Sequence, residues 1–192
     1  MRKTLFALAA TAALALTGAA QAQSATYVVE PTHTFVTFEA KHFGTSTNRG
    51  RFDKKEGTIT IDPAAKTGKA EITIDMASIN TGTAPFDGHL KGKDFFNAGE
   101  FATAKFVGDK FEFDGTKVKS VAGTLTMLGK TAPVTLTAEH YNCFMHPRLK
   151  VEVCGGDFNT TIQRSQWGMG YGLPGIPDSI KLVIQVEAVK QP

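Results

Sequence analysis

The sequence predicts an all-β domain on three observations. Apolar and polar residues alternate with period two from Thr26 to Val189, clusters of Gly, Asp and Pro cut that alternation into strand-length runs, and nothing after residue 22 sustains a helical period. Consecutive strands of this kind close into an up-and-down barrel or stack as a two-sheet sandwich.

The first stretch is set aside before any fold is argued. Arg2 and Lys3, an apolar run from Leu5 to Leu16 broken only by Thr11, and Ala20-Gln21-Ala22 have the three parts of a secretory signal peptide, with cleavage expected after Ala22. The run is too short to be retained as a bilayer-spanning helix. Residues 23–192 remain as one domain, with no internal repeat or linker. Without Arg2 and Lys3 the basic residues number 19 against 18 acidic, so the net charge falls from +3 to +1. No block of Lys or Arg marks a nucleic-acid footprint or an attraction to strongly anionic membranes.

Thr34 to His42 places Val36, Phe38, Ala40 and His42 on one face. Gly57 to Ile61 and Ala70 to Met76 follow as half-buried strands, joined by the turn from Asp62-Pro63 to Gly68. Alternation stops between Ser78 and Phe101, where Pro85 to Lys91 predicts a short helical turn and Phe95-Phe96 stand in a polar loop. A loop this long in an all-β domain has a task, either plugging the core or gating a ligand. Strands resume at Ala102–Val107, Lys110–Phe113, Lys117–Leu128 and Thr131–His140, with Asp114-Gly115 as a hairpin signal. In the last of these, Val134, Leu136, Ala138 and His140 share a face. Phe158–Arg164 puts Phe158, Thr160, Ile162 and Arg164 together, and Ser179–Val189 aligns Ile180, Leu182, Ile184, Val186 and Ala188.

Few motifs carry chemistry. Gly170-Tyr171-Gly172-Leu173-Pro174-Gly175 satisfies G-x-G-x-x-G, but Pro174 and Pro177 and the strand pattern that follows exclude a βαβ dinucleotide site. Neither G-x-S-x-G nor H-E-x-x-H occurs, and the histidines at 33, 42, 89, 140 and 146 are scattered, so no metal or cofactor is expected. Asn159-Thr160-Thr161 fits a glycosylation sequon but lies within an expected strand. In an exported chain, Cys143 and Cys154, eleven positions apart, point to a disulfide rather than a metal pair.

His42, His140 and Arg164 are therefore the polar groups on the apolar faces. A guanidinium on such a face needs an anion, a carboxylate or water, because burying it unpaired is costly. Asp157, Asp94 or Asp178 would serve structurally, and the polar head of an enclosed amphiphile would serve functionally. A barrel of about eight strands has room for packed side chains or one small ligand.

In order along the chain, Glu30-Pro31-Thr32-His33-Thr34 with Val36 and Phe38, Gly50-Arg51-Phe52, His89-Leu90, Asp94-Phe95-Phe96, Gly123-Thr124-Leu125-Thr126, Pro133-Val134 and Arg164-Ser165 with Gly168-Met169 resemble the YceI-like family, nearly end to end from Tyr27 to Ala188. Phe86 and Leu128 depart from its pattern, standing where Arg and His are frequent. The resemblance implies a single antiparallel, lipocalin-like up-and-down barrel of about eight strands, with the helical turn inside the loop at 84–100. It also implies a non-catalytic periplasmic carrier of a polyisoprenoid or similar long-chain lipid, without cofactor or stable membrane insertion and with a homodimer allowed. The expected ligand contacts are Phe38, His42, Phe95, Phe96, His140, Phe158, Ile162, Arg164, Leu182 and Ile184, with Trp167 and Met169 at the rim. Two rival readings remain: an enzyme using His42, His140 or His33 as acid or base, and a stress-related partner-binding barrel with a filled core.

Overall fold

The computed structural model describes residues 24–192; the expected leader lies outside them. The elements run β1 (Ala25–Val29), β2 (Phe35–His42), β3 (Ser46–Phe52), β4 (Lys55–Asp62), β5 (Thr67–Asp75), β6 (Ile79–Asn80), α1 (Ala84–Lys91), β7 (Thr103–Asp114), β8 (Lys117–Met127), β9 (Lys130–Met145), β10 (Glu152–Gln163) and β11 (Ser179–Lys190). Every strand pairing is antiparallel. The ring β1-β4-β5-β7-β8-β9-β10-β11 closes through β1 and β11, giving an eight-stranded barrel.

Three wall positions are shared by consecutive strands. Along β11, Ala188 faces Val29 of β1 and Gln185 faces Phe35 of β2, so β1 and β2 are successive parts of one kinked path. The Glu30 carboxylate sets the kink, accepting from the backbone N–H and side chains of both Thr32 and His33. β3 and β4 repeat the step about Asp53, and β5 and β6 repeat it about a single 3-10 turn at Met76–Ser78. The eleven segments thus trace eight strand paths, each beside its sequence neighbour.

This up-and-down course sorts the connections. The β2–β3 turn, the segment containing α1, the β8–β9 turn and the passage 164–178 lie at one end, called upper here. The β4–β5, β7–β8 and β9–β10 connections lie at the lower end. Pro85 starts α1, where its missing N–H costs nothing. Among the described residues no helix is long and apolar enough to cross a membrane.

The structure redraws several strand limits. β3 was not legible because Ser46-Thr47-Asn48-Arg49 shows no apolar alternation; only Gly50 and Phe52 are buried. The runs at 102–107 and 110–113 are one strand, β7, with a bulge at Asp109. A second bulge matters more. On β9, Ala138 faces Phe158 and His140 faces Asp157, so Glu139 is an extra residue. The extra residue reverses the phase: His140 is exposed, and Tyr141 packs against the core instead.

Candidate functional site

Inside the barrel is a cavity of about 680 Å³. Its deeper wall is apolar, built from alternate positions such as Ile72 and Ile74 on β5, Ala104 and Phe106 on β7, and Ile180, Leu182 and Ile184 on β11. Ile72, Leu136, Leu182 and Ile184 point inward yet are only half-buried, because the cavity itself presents surface to them. The polar side chains on the wall are Lys41, His42, Asn48, His89, Arg164 and Tyr171, all contributed by upper-end segments. No carboxylate is among the lining residues.

The sequence-derived contacts divide. Phe38, His42, Phe95, Phe96, Ile162, Arg164, Met169, Leu182 and Ile184 all line this cavity. Phe38 lies against Gly50, its partner across β2 and β3, where a Cβ would come within 2.6 Å of the ring. Phe95 and Phe96 belong to the underside of the upper cover: Phe95 meets His89 and Tyr171 edge-on, and Phe96 meets Phe52. His42 is exposed at the mouth.

Three positions differ from expectation. His140 is outside, for the reason given above. Phe158 faces a smaller lower chamber of about 90 Å³ instead of the main cavity. Trp167 is not a rim contact: it is 1% exposed, and its indole N–H donates to the Leu125 carbonyl at 3.0 Å. An indole needs such a partner to be buried, and a strand carbonyl supplies it.

Arg164 lines the cavity, and backbone carbonyls take the place of the carboxylate expected as its structural partner. It follows β10 as the first residue of a 3-10 turn (Arg164–Trp167) that ends at Gly168, whose φ of 91° suits glycine. It pairs with no carboxylate. Its Nε donates to the Pro177 carbonyl at 3.0 Å, Nη1 to Met169 at 3.0 Å, and Nη2 to Tyr171 at 2.9 Å and Ile176 at 2.8 Å. Burial lowers the guanidinium's pKa, against the pull of the Asp178 charge. Asp178 instead accepts from the Ser165 N–H and hydroxyl, hydrogen bonds that hold its carboxyl below the usual range. The Gly/Pro-rich passage 169–177 is thus tied around one cation, which holds the cavity's upper rim in shape.

Sequence reasoning missed Phe86, His89 and Leu90 of α1 and Tyr171 as lining residues. The Pro85 signal located the turn but not the direction of its side chains. It also missed Lys55, buried at the start of β4, whose amine donates to the Asp53 carbonyl at 3.3 Å and lies 4.3 Å from the Phe35 ring centroid. Desolvation lowers its pKa, against the Asp53 charge.

Cys143 and Cys154 face each other across β9 and β10, their sulfurs 2.01 Å apart. Among the described residues no three His, Cys, Asp or Glu side chains converge as metal ligands.

A closed antiparallel barrel with an apolar interior, a polar mouth and one helical cover defines a lipocalin-like class of protein. Residues 27–188 match the model of the YceI-like domain. The chain is 33% identical over 196 residues to a UPF0312 protein of Pseudomonas paraeruginosa, covering all of both chains. BcnA of Burkholderia cenocepacia superposes with a TM-score of 0.67 at 26% identity, over 83% of this chain and 99% of that one. A polyisoprenoid binding domain from Saccharophagus degradans has the same fold, with a TM-score of 0.59 at 14% identity over 86% of this chain and 98% of that one. The chain belongs to the YceI-like family.

Proposed function

We propose that this protein is an exported, non-catalytic carrier that encloses the tail of a long-chain amphiphile, a polyisoprenoid in the first instance, with its head at the upper mouth. The observation that carries this reading is the 680 Å³ apolar cavity whose polar side chains are confined to one end. That polarity matches an amphiphile and no uniformly polar substrate. The polyisoprenoid binding named for the Saccharophagus domain supports the ligand class. The N-terminal leader pattern and the facing cysteines support export to the periplasm.

Each methylene taken from water contributes about 0.8 kcal/mol, and a hydrogen bond to a charged group about 1.5 to 3. A long tail therefore sets affinity, and Lys41, His42, Asn48 and His89 set orientation. Native mass spectrometry of protein purified from its own source, followed by solvent extraction, tests the reading. A retained long-chain mass is expected, lost in Phe38→Asp and Ile184→Asp variants that still fold. Unchanged lipid affinity in those variants would contradict the enclosed tail. The same spectrum reads export: the mature chain should begin at Gln23 and be two hydrogen atoms lighter than its reduced form.

A further inference from the structure

Below the main cavity is the chamber of about 90 Å³, and the same five side chains line both. Val36 of β2, Ile72 of β5, Phe106 of β7, Leu136 of β9 and Ile184 of β11 form this shared wall. Two pairs among them are cross-strand neighbours: Val36 faces Ile184, and Ile72 faces Phe106. They make a waist of unbonded apolar side chains, which can part by rotamer changes without breaking any hydrogen bond.

The lower chamber offers little to a polar group; the Tyr141 hydroxyl on its wall lies 3.6 Å from the Cys143 sulfur. The Thr34 hydroxyl donates to the Glu187 carbonyl and accepts the Glu187 N–H, and the Tyr27 hydroxyl donates to Glu152. The Lys55 amine is turned to the Asp53 carbonyl and the Phe35 face. Among the described residues, no fully buried side-chain N or O lacks a partner. The chamber is also smaller than the roughly 150 Å³ apolar cavity known to admit benzene. It suits the end of a flexible chain and not a ring.

We propose that the lower chamber is a second subsite, which takes the terminal apolar segment of the carried lipid once the waist parts. This proposal rests on the carrier reading above. It makes the barrel a gauge of tail length: a chain too short to cross the waist gains nothing from the chamber, and a ring-terminated chain stops above it.

The test uses geraniol, farnesol, geranylgeraniol and solanesol as probes, with affinities measured on the delipidated full domain. Val186 and Ala70 line the lower chamber and not the main cavity. Val186→Phe should leave the affinity of the shortest binders unchanged and weaken the longest about tenfold, the equivalent of two buried methylenes. Ala70→Val, a smaller filling, should act in the same direction and stands in if Val186→Phe fails to fold. An equal loss at every length, or no loss at any, would overturn the subsite while leaving the carrier intact. Failure of every probe to bind the unaltered protein would overturn both.

Discussion

At the scale of single residues, Arg164 shows how a cation can be buried without a counter-charge. Four carbonyls from Met169, Tyr171, Ile176 and Pro177 converge on it, and each would lose its bond in Arg164→Ala. Unsatisfied buried groups cost about 1 to 3 kcal/mol each, less where water can enter. We expect a loss of about 3 kcal/mol in urea unfolding, and only partial recovery in Arg164→Lys, because an ammonium cannot reproduce the planar fork. A loss below about 1 kcal/mol would show that the rim holds itself. A second residue-scale prediction concerns pH. Burial, aided by the Glu152 charge, pushes the Tyr141 phenol up to about 12. Burial and the hydrogen bond to Glu152 raise Tyr27 further. Between the ordinary value of 10.0 and about 12 the unfolded chain releases the Tyr141 proton and the folded one keeps it. Stability from this phenol is therefore complete below pH 10.0 and is lost as pH rises toward 12. Tyrosinate absorbance should show Tyr27 and Tyr141 silent at pH 10.5, appearing only as the fold is lost.

At the scale of elements, legibility followed whether a strand's inner face carries apolar side chains. β5, β8 and β11 do, and their alternation was readable to within a few residues. β3 buries only Gly50 and Phe52 and adds the polar Asn48 at the mouth, so its role rests on what glycine omits, which no hydrophobic pattern displays. Gly50→Ala tests that role. The new methyl would strike the Phe38 ring, and overpacking of this kind costs about 1 to 3 kcal/mol. Thermal unfolding should report the cost, and affinity for the longest probes should fall as Phe38 is pushed into the cavity. Bulges set the other limit on legibility. Glu139 is one residue among sixteen in β9, yet it decides that Tyr141 and not His140 faces inward. His140→Ala should accordingly leave lipid affinity unchanged. The structural partners of Arg164 escaped for a related reason: they are backbone carbonyls, which every residue possesses and no sequence marks.

At the scale of the whole molecule, the proposed carrier role makes the barrel's stability depend on its contents. A ligand present at a hundred times its dissociation constant adds about 2.7 kcal/mol. For a domain of this size that corresponds to a rise in melting temperature of roughly 5 to 11 °C. Protein as purified should melt above its solvent-extracted, refolded form by such an interval, and adding the extracted lipid back should restore it. Identical melting of the two forms would weigh against a resident lipid. The gathering of both long connections at the upper end has a practical corollary. The Gln191 N–H is bonded to the Thr26 carbonyl, so the last residues are held at the lower end, opposite the mouth. A C-terminal tag is therefore a handle on the far side of the vessel, and a molecule anchored by it to a sensor chip leaves its opening free for loading from solution.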